Sequence, residues 1–258
     1  MPEGDTVYRT AKNLNAVLAG TVLTRCDIRV PAFATVDLSG ATVEQVASRG
    51  KHLLMRVGAF SIHSHLKMEG SWHIYAHRAK WRRPQWQARA ILANADWVTV
   101  GFQLGTLEVV PRESEDELVG YLGPDLLGPD WNLELALANL RADPARAIGL
   151  ALLDQRNLAG LGNVYRNELC FLRGVLPTRP VGDVNDLERM LALAKRLIEA
   201  NKDRVERTTT GRLRGDTDWV YGRHAQPCLR CGRNVQHGKL GDTDLELRDI
   251  FWCPHCQT

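Results

Sequence analysis

Pro2-Glu3-Gly4-Asp5-Thr6-Val7 stands directly behind Met1, and the reading of the whole chain turns on it. Val7, Ala11, Leu14, Val17 and Leu18 recur at helical spacing, and Gly20 stands where a helix C-cap belongs. The hexapeptide therefore opens an amphipathic helix. Proline at the first helical position and acids in the first turn are good helix-start chemistry in their own right. They also permit something else. Once Met1 is removed, Pro2 carries a free secondary amine, and an α-amino group titrates near about 8, well below lysine. A secondary amine attacking a sugar aldehyde carbon gives an iminium, which is covalent catalysis of the Schiff-base type. Glu3 beside it could move a proton on or off the sugar. Both residues are expected at an exposed terminus.

Outward from this helix the pattern changes. Short β-like runs are expected at 21–30, 41–48, 52–57, 60–66, 87–92, 97–102 and 106–110, separated by Gly, Pro and Asn-Ala-Asp breaks. Many short strands at such spacing read as a sandwich or barrel. Gly123-Pro124-Asp125 and Gly128-Pro129-Asp130 then mark a linker. Beyond it the signal is helical, with helices expected at 133–140, from Pro144 to about 154, at 161–172, and from Asn185 onward, where Glu188 completes a capping box. The segment from about Arg223 has no helical period and holds four of the six cysteines. The fold class is α+β and multidomain. Its parts are an N-terminal β-sandwich domain with a leading helix (1–122), a linker (123–132), a helical domain (133–222) and a C-terminal cysteine ribbon (223–258).

With 258 residues, 44% hydrophobic and 24% charged, a core of ordinary size can form. No run of about 18 apolar residues is present, and no basic region precedes an apolar stretch at the N-terminus. An intracellular, cytoplasmic protein without membrane association is expected. Net charge is only +3, but residues 202–233 carry eight basic against four acidic side chains. Arginine outnumbers lysine 26 to 7, and arginine is the better phosphate fork. A mildly basic C-terminal half fits nucleic acid.

Cys228-Leu229-Arg230-Cys231 and Cys253-Pro254-His255-Cys256 form two Cys-x-x-Cys knuckles with 21 residues between them. Four thiolates in two tight pairs suit one tetrahedral, closed structural zinc ion, with Cys228, Cys231, Cys253 and Cys256 as ligands. Two disulfides are the competing reading, disfavoured in an intracellular chain. His224, His237 and His255 are read as solvated or outside the ligand shell, and Cys26 and Cys170 as packing. The residues between the knuckles form a hairpin, and Arg248 falls near its far end.

Together these pieces resemble the formamidopyrimidine-DNA glycosylase/endonuclease VIII family of base-excision repair, in its Nei-like branch of the actinobacterial kind. The resemblance rests on Pro2-Glu3-Gly4, Arg49-Gly50-Lys51, Ser64-His65 and Leu158-Ala159-Gly160-Leu161-Gly162-Asn163-Val164-Tyr165. It continues through Val220-Tyr221-Gly222-Arg223 and Pro227-Cys228 to Phe251-Trp252-Cys253-Pro254. It implies a β-sandwich domain, a helix-two-turn-helix domain and a zinc finger, with damaged DNA, duplex or single-stranded and bubble, in the cleft between, and a monomer. By the same resemblance Pro2 is the Schiff-base nucleophile and Glu3 protonates the sugar ring oxygen. Lys51 serves β-elimination, and Arg248 serves δ-elimination while clasping phosphate. His65, Lys67, Met68 and Asn163 are the implied DNA-contacting set. Met68 is the apolar wedge that fills the gap left by a flipped base. Gly160 and Gly162 would let the backbone approach a ligand, with the N–H groups of the following helix open to phosphate. Leu158-Ala159-Gly160-Leu161-Gly162-Asn163 also reads simply as a tight interhelical turn.

The departures from the family pattern bear on substrate. Thr6 stands where a glutamate is usual, Gln103-Leu104-Gly105 replaces an arginine-phenylalanine-glycine loop, and Leu122 replaces a DNA-binding arginine. Only eight residues separate Thr210 from Trp219, too few for a long lid over 8-oxoguanine. Oxidised pyrimidines and ring-opened lesions are the expected substrates of a bifunctional glycosylase/AP lyase. The alternative is a non-catalytic, zinc-dependent DNA-binding or lesion-sensing protein of the same fold.

Overall fold

Helix α1 (Gly4–Leu18) presents Val7, Ala11, Leu14 and Leu18 on one buried stripe, as their spacing dictates. Gly20 follows with φ +76°, the left-handed conformation that terminates such a helix. The computed structural model describes residues 2–258. Met1, whose removal the sequence reading requires, lies outside the described residues. The chain divides into two compact units, one of Pro2 and Thr6–Tyr121, the other of Glu3–Asp5 and Leu122–Thr258.

The first unit is a β-sandwich. Strands β1 (Arg25–Ile28), β2 (Val43–Arg49), β3 (His52–Val57), β4 (Phe60–His65), β5 (Ser71–Ala76), β6 (Ala88–Ala93), β7 (Trp97–Phe102) and β8 (Thr106–Pro111) form two antiparallel four-stranded sheets, ordered β1-β6-β7-β5 and β2-β3-β4-β8. Alternation decides which side chains fill the space between them. Leu53, Met55 and Val57 from β3 meet Ala90 and Leu92 from β6 and the apolar stripe of α1 in one core. Ile91, between Ala90 and Leu92, faces the other way and joins Tyr75, Val100 and Phe102 in a smaller outer cluster. Asn94 closes the β6–β7 turn by accepting from Asp96 N and Trp97 N, and its amide donates to Val17 O of α1 at 2.7 Å. A short helix, α2 (Glu115–Val119), ends the unit. Its buried Glu115 is forked by Arg56 and accepts from the Ser61 hydroxyl.

Two of these elements are absent from the sequence reading. Strand β5 alternates, with Trp72 and Ile74 turned to the inner core and Tyr75 to the outer cluster, but the run is short and the sequence reading passed over it; it pairs along the whole of β7. Helix α2 is too short to show a period.

The second unit holds α3 (Leu133–Arg141), α4 (Ile148–Ala151), α5 (Asn163–Arg173) and α6 (Leu187–Asn201), then the hairpin β9 (Gln236–Leu240) and β10 (Arg248–Trp252). Tyr165 and Leu169 of α5 pack with Met190, Leu191, Ala194 and Ile198 of α6 and Leu137 and Leu140 of α3. The helix expected from Pro144 is only the four residues of α4. Residues before it pair laterally instead: Gly182 N donates to Pro144 O, Val181 N to Arg146 O and Ile148 N to Arg179 O. Those bonds, with the turn that Arg146 N closes on Asp143 O, keep the chain out of a helix where one would have begun. The capping box at Asn185 does not form either. The cap position is Asp186, in a left-handed conformation (φ 58°) with no side-chain cap bond, and its carboxylate faces Arg189 Nη1 at 3.5 Å.

Core and surface positions of the sandwich should respond very differently to truncation. Leu53→Ala empties a fully buried site and should lower the unfolding free energy by about 2–5 kcal/mol. Met68→Ala, at a site 56% exposed, should stay within about 0.5 kcal/mol. Urea unfolding of both variants checks the contrast.

Candidate active site and cysteine cluster

Glu3 is fully buried, which overturns the expectation of an exposed terminus. Its two carboxylate oxygens accept from Gly162 N at 2.7 Å and Val164 N at 2.8 Å. These are among the N–H groups that the first turn of α5 leaves without intrahelical partners, so Glu3 is the cap that helix needs. The expectation that they stand open to phosphate is therefore corrected: the chain's own carboxylate occupies them. Glycine is required at 162 by this approach, since a Cβ there would lie 2.4 Å from Glu3 Cδ. Gly4 is placed as tightly, its N–H donating to Gly160 O at 2.9 Å. A Cβ on Gly4 would come within 2.9 Å of Gly160 Cα. What Gly162 of the Ala-Gly-Leu-Gly-Asn turn admits is the start of the chain itself.

Asp5 completes the attachment. Arg207 grips it with two bonds, Nε to Oδ2 at 2.7 Å and Nη2 to Oδ1 at 2.6 Å, and the Tyr165 hydroxyl donates to Oδ2 at 3.0 Å. Arg207 also lies 3.6 Å from Glu3 Oε1 and 4.8 Å over the Tyr165 ring. Burial disfavours the guanidinium charge, but Glu3 and Asp5 outweigh it and raise the Arg207 pKa further. Burial first, and Asp5 second, likewise push the Tyr165 phenol far up. Asp5, Tyr165 and Arg207 were not singled out from sequence. Their signal was an acid in the hexapeptide with no other evident duty.

Helix α5 organises the rest of this unit. Asn163 is buried and donates from Nδ2 to Asp249 O at 3.0 Å, rather than presenting its amide at an open turn. Arg166, also fully buried, bonds the Asn163 side chain and donates to Asp249 O at 2.8 Å, and burial lowers its pKa to about 10. Phe251 N donates to Asn167 Oδ1 at 2.7 Å. Three side chains of α5 thus fix β10, whose first residue is the exposed Arg248, opposite Leu240. Glu168 takes the other side. It accepts from Trp219 N, Val220 N and Tyr221 N at 2.7–2.9 Å and from the Thr209 hydroxyl. The segment between is a closed turn, with Thr209 N bonded to Thr217 O. Leu122, where an arginine was noted as missing, is buried.

In the first unit, Lys51 sits half-buried at the β2–β3 turn, whose Gly50 has φ +57°. Thr6, on α1, is half-buried. His65 ends β4, and its Nδ1 accepts from Lys67 N at 2.9 Å, holding the turn on which Met68 is exposed. Beside them lies a chain of titratable groups that sequence reading passed over. Glu108 Oε2 meets His63 Nδ1 at 3.0 Å, His63 Nε2 meets His52 Nδ1 at 2.8 Å, and His52 Nε2 meets the Tyr121 hydroxyl at 3.2 Å. A carboxylate only accepts, so one proton per link, running from Tyr121 toward Glu108, satisfies every atom with both imidazoles neutral. Burial, the largest cause, holds His52 down to about 3.

Four cysteines close the second unit. The sulfurs of Cys228, Cys231, Cys253 and Cys256 all lie within 4.8 Å of one another, a possible metal site. Cys231 and Cys253 Sγ are 3.4 Å apart, far beyond the roughly 2.05 Å of a disulfide. A tetrahedral ion about 2.3 Å from each sulfur fits this spacing. Arg230 N–H points at Cys228 Sγ at 3.4 Å, the kind of donor a thiolate attracts. His237 bonds Asp249 instead, and Cys170 packs in the helical core.

This architecture is that of a known class. The fold matches a MutM structure described as in complex with DNA containing carbocyclic 8-oxo-G (TM-score 0.82, 22% identity, all of both chains covered). It also matches a Lactococcus lactis Fpg complex with abasic-site DNA (TM-score 0.81, 23% identity, 99% of each chain). Residues 1–103 match the formamidopyrimidine-DNA glycosylase N-terminal domain and 122–212 its H2TH domain. "Probable endonuclease 8 2" of Streptomyces coelicolor is 56% identical over all of this chain and 94% of its own. "DNA-(apurinic or apyrimidinic site) lyase Nei2" of Mycolicibacterium smegmatis is 53% identical over all of this chain and 99% of its own. The chain belongs to the formamidopyrimidine-DNA glycosylase/endonuclease VIII family, and its relatives named endonuclease 8 2 and Nei2 lie on the Nei-like side.

Removing one partner of the Asp5–Arg207 pair should be costly, because it leaves a buried charge short of its main counter-ion. Arg207→Met should lower the stability of the second unit by about 3–5 kcal/mol. Arg207→Lys, which keeps the charge but loses the fork, should cost less. Thermal unfolding of the two variants against wild type gives the ranking.

Proposed function

We propose that this protein is a bifunctional DNA glycosylase/AP lyase that acts as a monomer on damaged DNA inside the cell. One observation carries the reading. Chain termini ordinarily fray, yet here the residue next to Pro2 is tied by both carboxylate oxygens to the start of α5, and Asp5 is forked by Arg207. A terminal amine that is to attack a sugar carbon must be held in place, and this clamp does so. Two relatives over 50% identical along the whole chain, named for endonuclease and AP-lyase activity, support it.

The chemistry runs on this chain's own groups. The unprotonated ring nitrogen of Pro2 attacks deoxyribose C1′, the bond to the damaged base breaks, and the ring opens as C1′ becomes an iminium. On attack Pro2 N gives its proton to a Glu3 lone pair that Gly162 N and Val164 N leave vacant, Glu3 passes it to the ring oxygen as the ring opens, and the departing base takes its proton from solvent. The iminium acidifies C2′, and Lys51 serves the β-elimination that releases the 3′ phosphate. Arg248 serves δ-elimination and clasps phosphate. Asn163 contributes at the phosphate by holding β10 through Asp249, and His65, Lys67 and Met68 form the contact and wedge on the first unit. Residues 133–222 act as the helix-two-turn-helix domain and 223–258 as the finger. The four cysteines hold one structural zinc ion. That ion supplies folding stability to a hairpin with little core, and no step passes through it. Among the described residues no helix is long and apolar enough to cross a membrane.

Thr6, Gln103-Leu104-Gly105 and the closed turn at 209–217 favour oxidised pyrimidines and ring-opened lesions over 8-oxoguanine. Two measurements test the reading. Borohydride should trap a covalent complex between the processed protein and abasic-site DNA, while a preparation retaining Met1, identified by intact mass, should give none. Trapping by the Met1-retaining form would remove Pro2 from the mechanism, and no trapping by the processed form would leave a DNA binder. In an excision panel, thymine glycol should be released faster than 8-oxoguanine, and the reverse order would overturn the preference.

A further inference from the structure

Strands β5 and β6 both run antiparallel to β7, so they are parallel to each other and their connection must travel the length of the sheet. Residues 77–87 do this as a strap over the outer cluster of Tyr75, Ile91, Val100 and Phe102. Trp81 pins the strap, its ring 6.3 Å from Tyr75 and 5.9 Å from Phe102. Trp86, five residues on, does the opposite and is 78% exposed.

The charge on this segment is one-sided. From His77 to Arg89 there are five cations, Arg78, Lys80, Arg82, Arg83 and Arg89, and no carboxylate. That is five of the 14 basic side chains of residues 1–130, in a tenth of the length, so the concentration is local. Arg78, Lys80, Arg82 and Arg89 are exposed. Asp27, on β1 opposite Ile91, is already bridged by Arg25 at 2.7 Å and Arg29 at 3.0 Å. Arg83 donates to Gln103 Oε1 at 2.6 Å and Glu69 O at 3.3 Å, which joins the strap to the turn carrying Met68. Arg82 also lines a concavity of about 340 Å³ together with Arg9, Asn13, His73 and Tyr75, roomy enough for a phosphate.

We propose that the strap is an accessory site for single-stranded DNA, in which Trp86 stacks on an unpaired base and Arg78, Lys80, Arg82 and Arg89 hold the adjoining phosphates. Cations interleaved with an exposed aromatic are the two components of single-strand binding, a charged track and a stacking platform. The strand must be unpaired, because a duplex offers base edges in its grooves and no base face. Pro84 and the short turn at 85–87 present Trp86 on a stiff backbone, so little ordering is needed on binding. The assignment rests on the DNA-repair reading above and extends it beyond the lesion.

The test compares wild type, Trp86→Ala and Trp86→Phe by fluorescence anisotropy with an unmodified thymidine oligonucleotide, alongside borohydride trapping on duplex abasic DNA. Trp86→Ala should weaken single-strand binding about 5- to 150-fold, the worth of one stacked base, and Trp86→Phe far less. Duplex trapping should be equal in all three. Equal single-strand affinity of wild type and Trp86→Ala overturns the site, as it would if the strap served a protein partner instead. So does a parallel loss of duplex trapping, which would make the strap a general DNA surface. Absence of trapping even in wild type would count against the catalytic reading and leave the single-strand comparison standing.

Discussion

One carboxylate at the head of the chain caps a helix that begins 160 residues later, and the second unit is built around that contact. A buried helix start with unpaired N–H groups is costly, and so is a buried carboxylate without donors. Joined, the two remove each other's penalty. The glycines at 4 and 162 follow from this, because only hydrogen in place of Cβ lets the two backbones come so close, while Gly160 is required by its φ of +111°. Two residues on from Glu3, Arg207 holds Asp5 in a forked ion pair. The placing of the start of the chain is thereby a consequence of helix capping.

Helix α5 carries this constraint to the rest of the unit. Its start receives Glu3, Asn163, Arg166 and Asn167 fix the backbone of β10, and Glu168 collects the N–H groups of Trp219, Val220 and Tyr221. Burial pushes the Glu168 carboxyl up, while four donors favour its charged form. Every buried polar group named here has its main partner on a distant stretch of sequence. A helix that is nearly all buried carries so many polar residues because most of their polar atoms are matched, Arg166 Nε and Nη1 being the exceptions.

The sandwich obeys a simpler rule. Alternation sends Ala90 and Leu92 to the inner core and Ile91 outward, and the outward cluster needs a cover. The strap supplies one with Trp81, and its length is set by the β5–β6 crossover. What the cover leaves in solvent, Trp86 and a row of cations, is unrelated to packing, which is why it reads as a surface for a ligand.

Sequence alone determined the classes of element, through period and punctuation: the amphipathic stripe of α1, seven of the eight sandwich strands, the long helices and the two cysteine knuckles. It also fixed the candidate residues, because Pro2-Glu3, the glycine turn and Cys-x-x-Cys pairs need only local spacing to be recognised. Tertiary structure decided what those residues touch. Glu3 proved to be a buried cap, the N–H groups of α5 proved to be occupied, and the helix at Pro144 gave way to lateral pairing. Arg207, Arg166, Glu168 and the His52–His63 chain were silent in the sequence for a common reason. Each acquires its role from partners between 11 residues away (His52 and His63) and 202 (Asp5 and Arg207), and a hydrogen bond or ion pair across such a separation leaves no periodic trace in the chain.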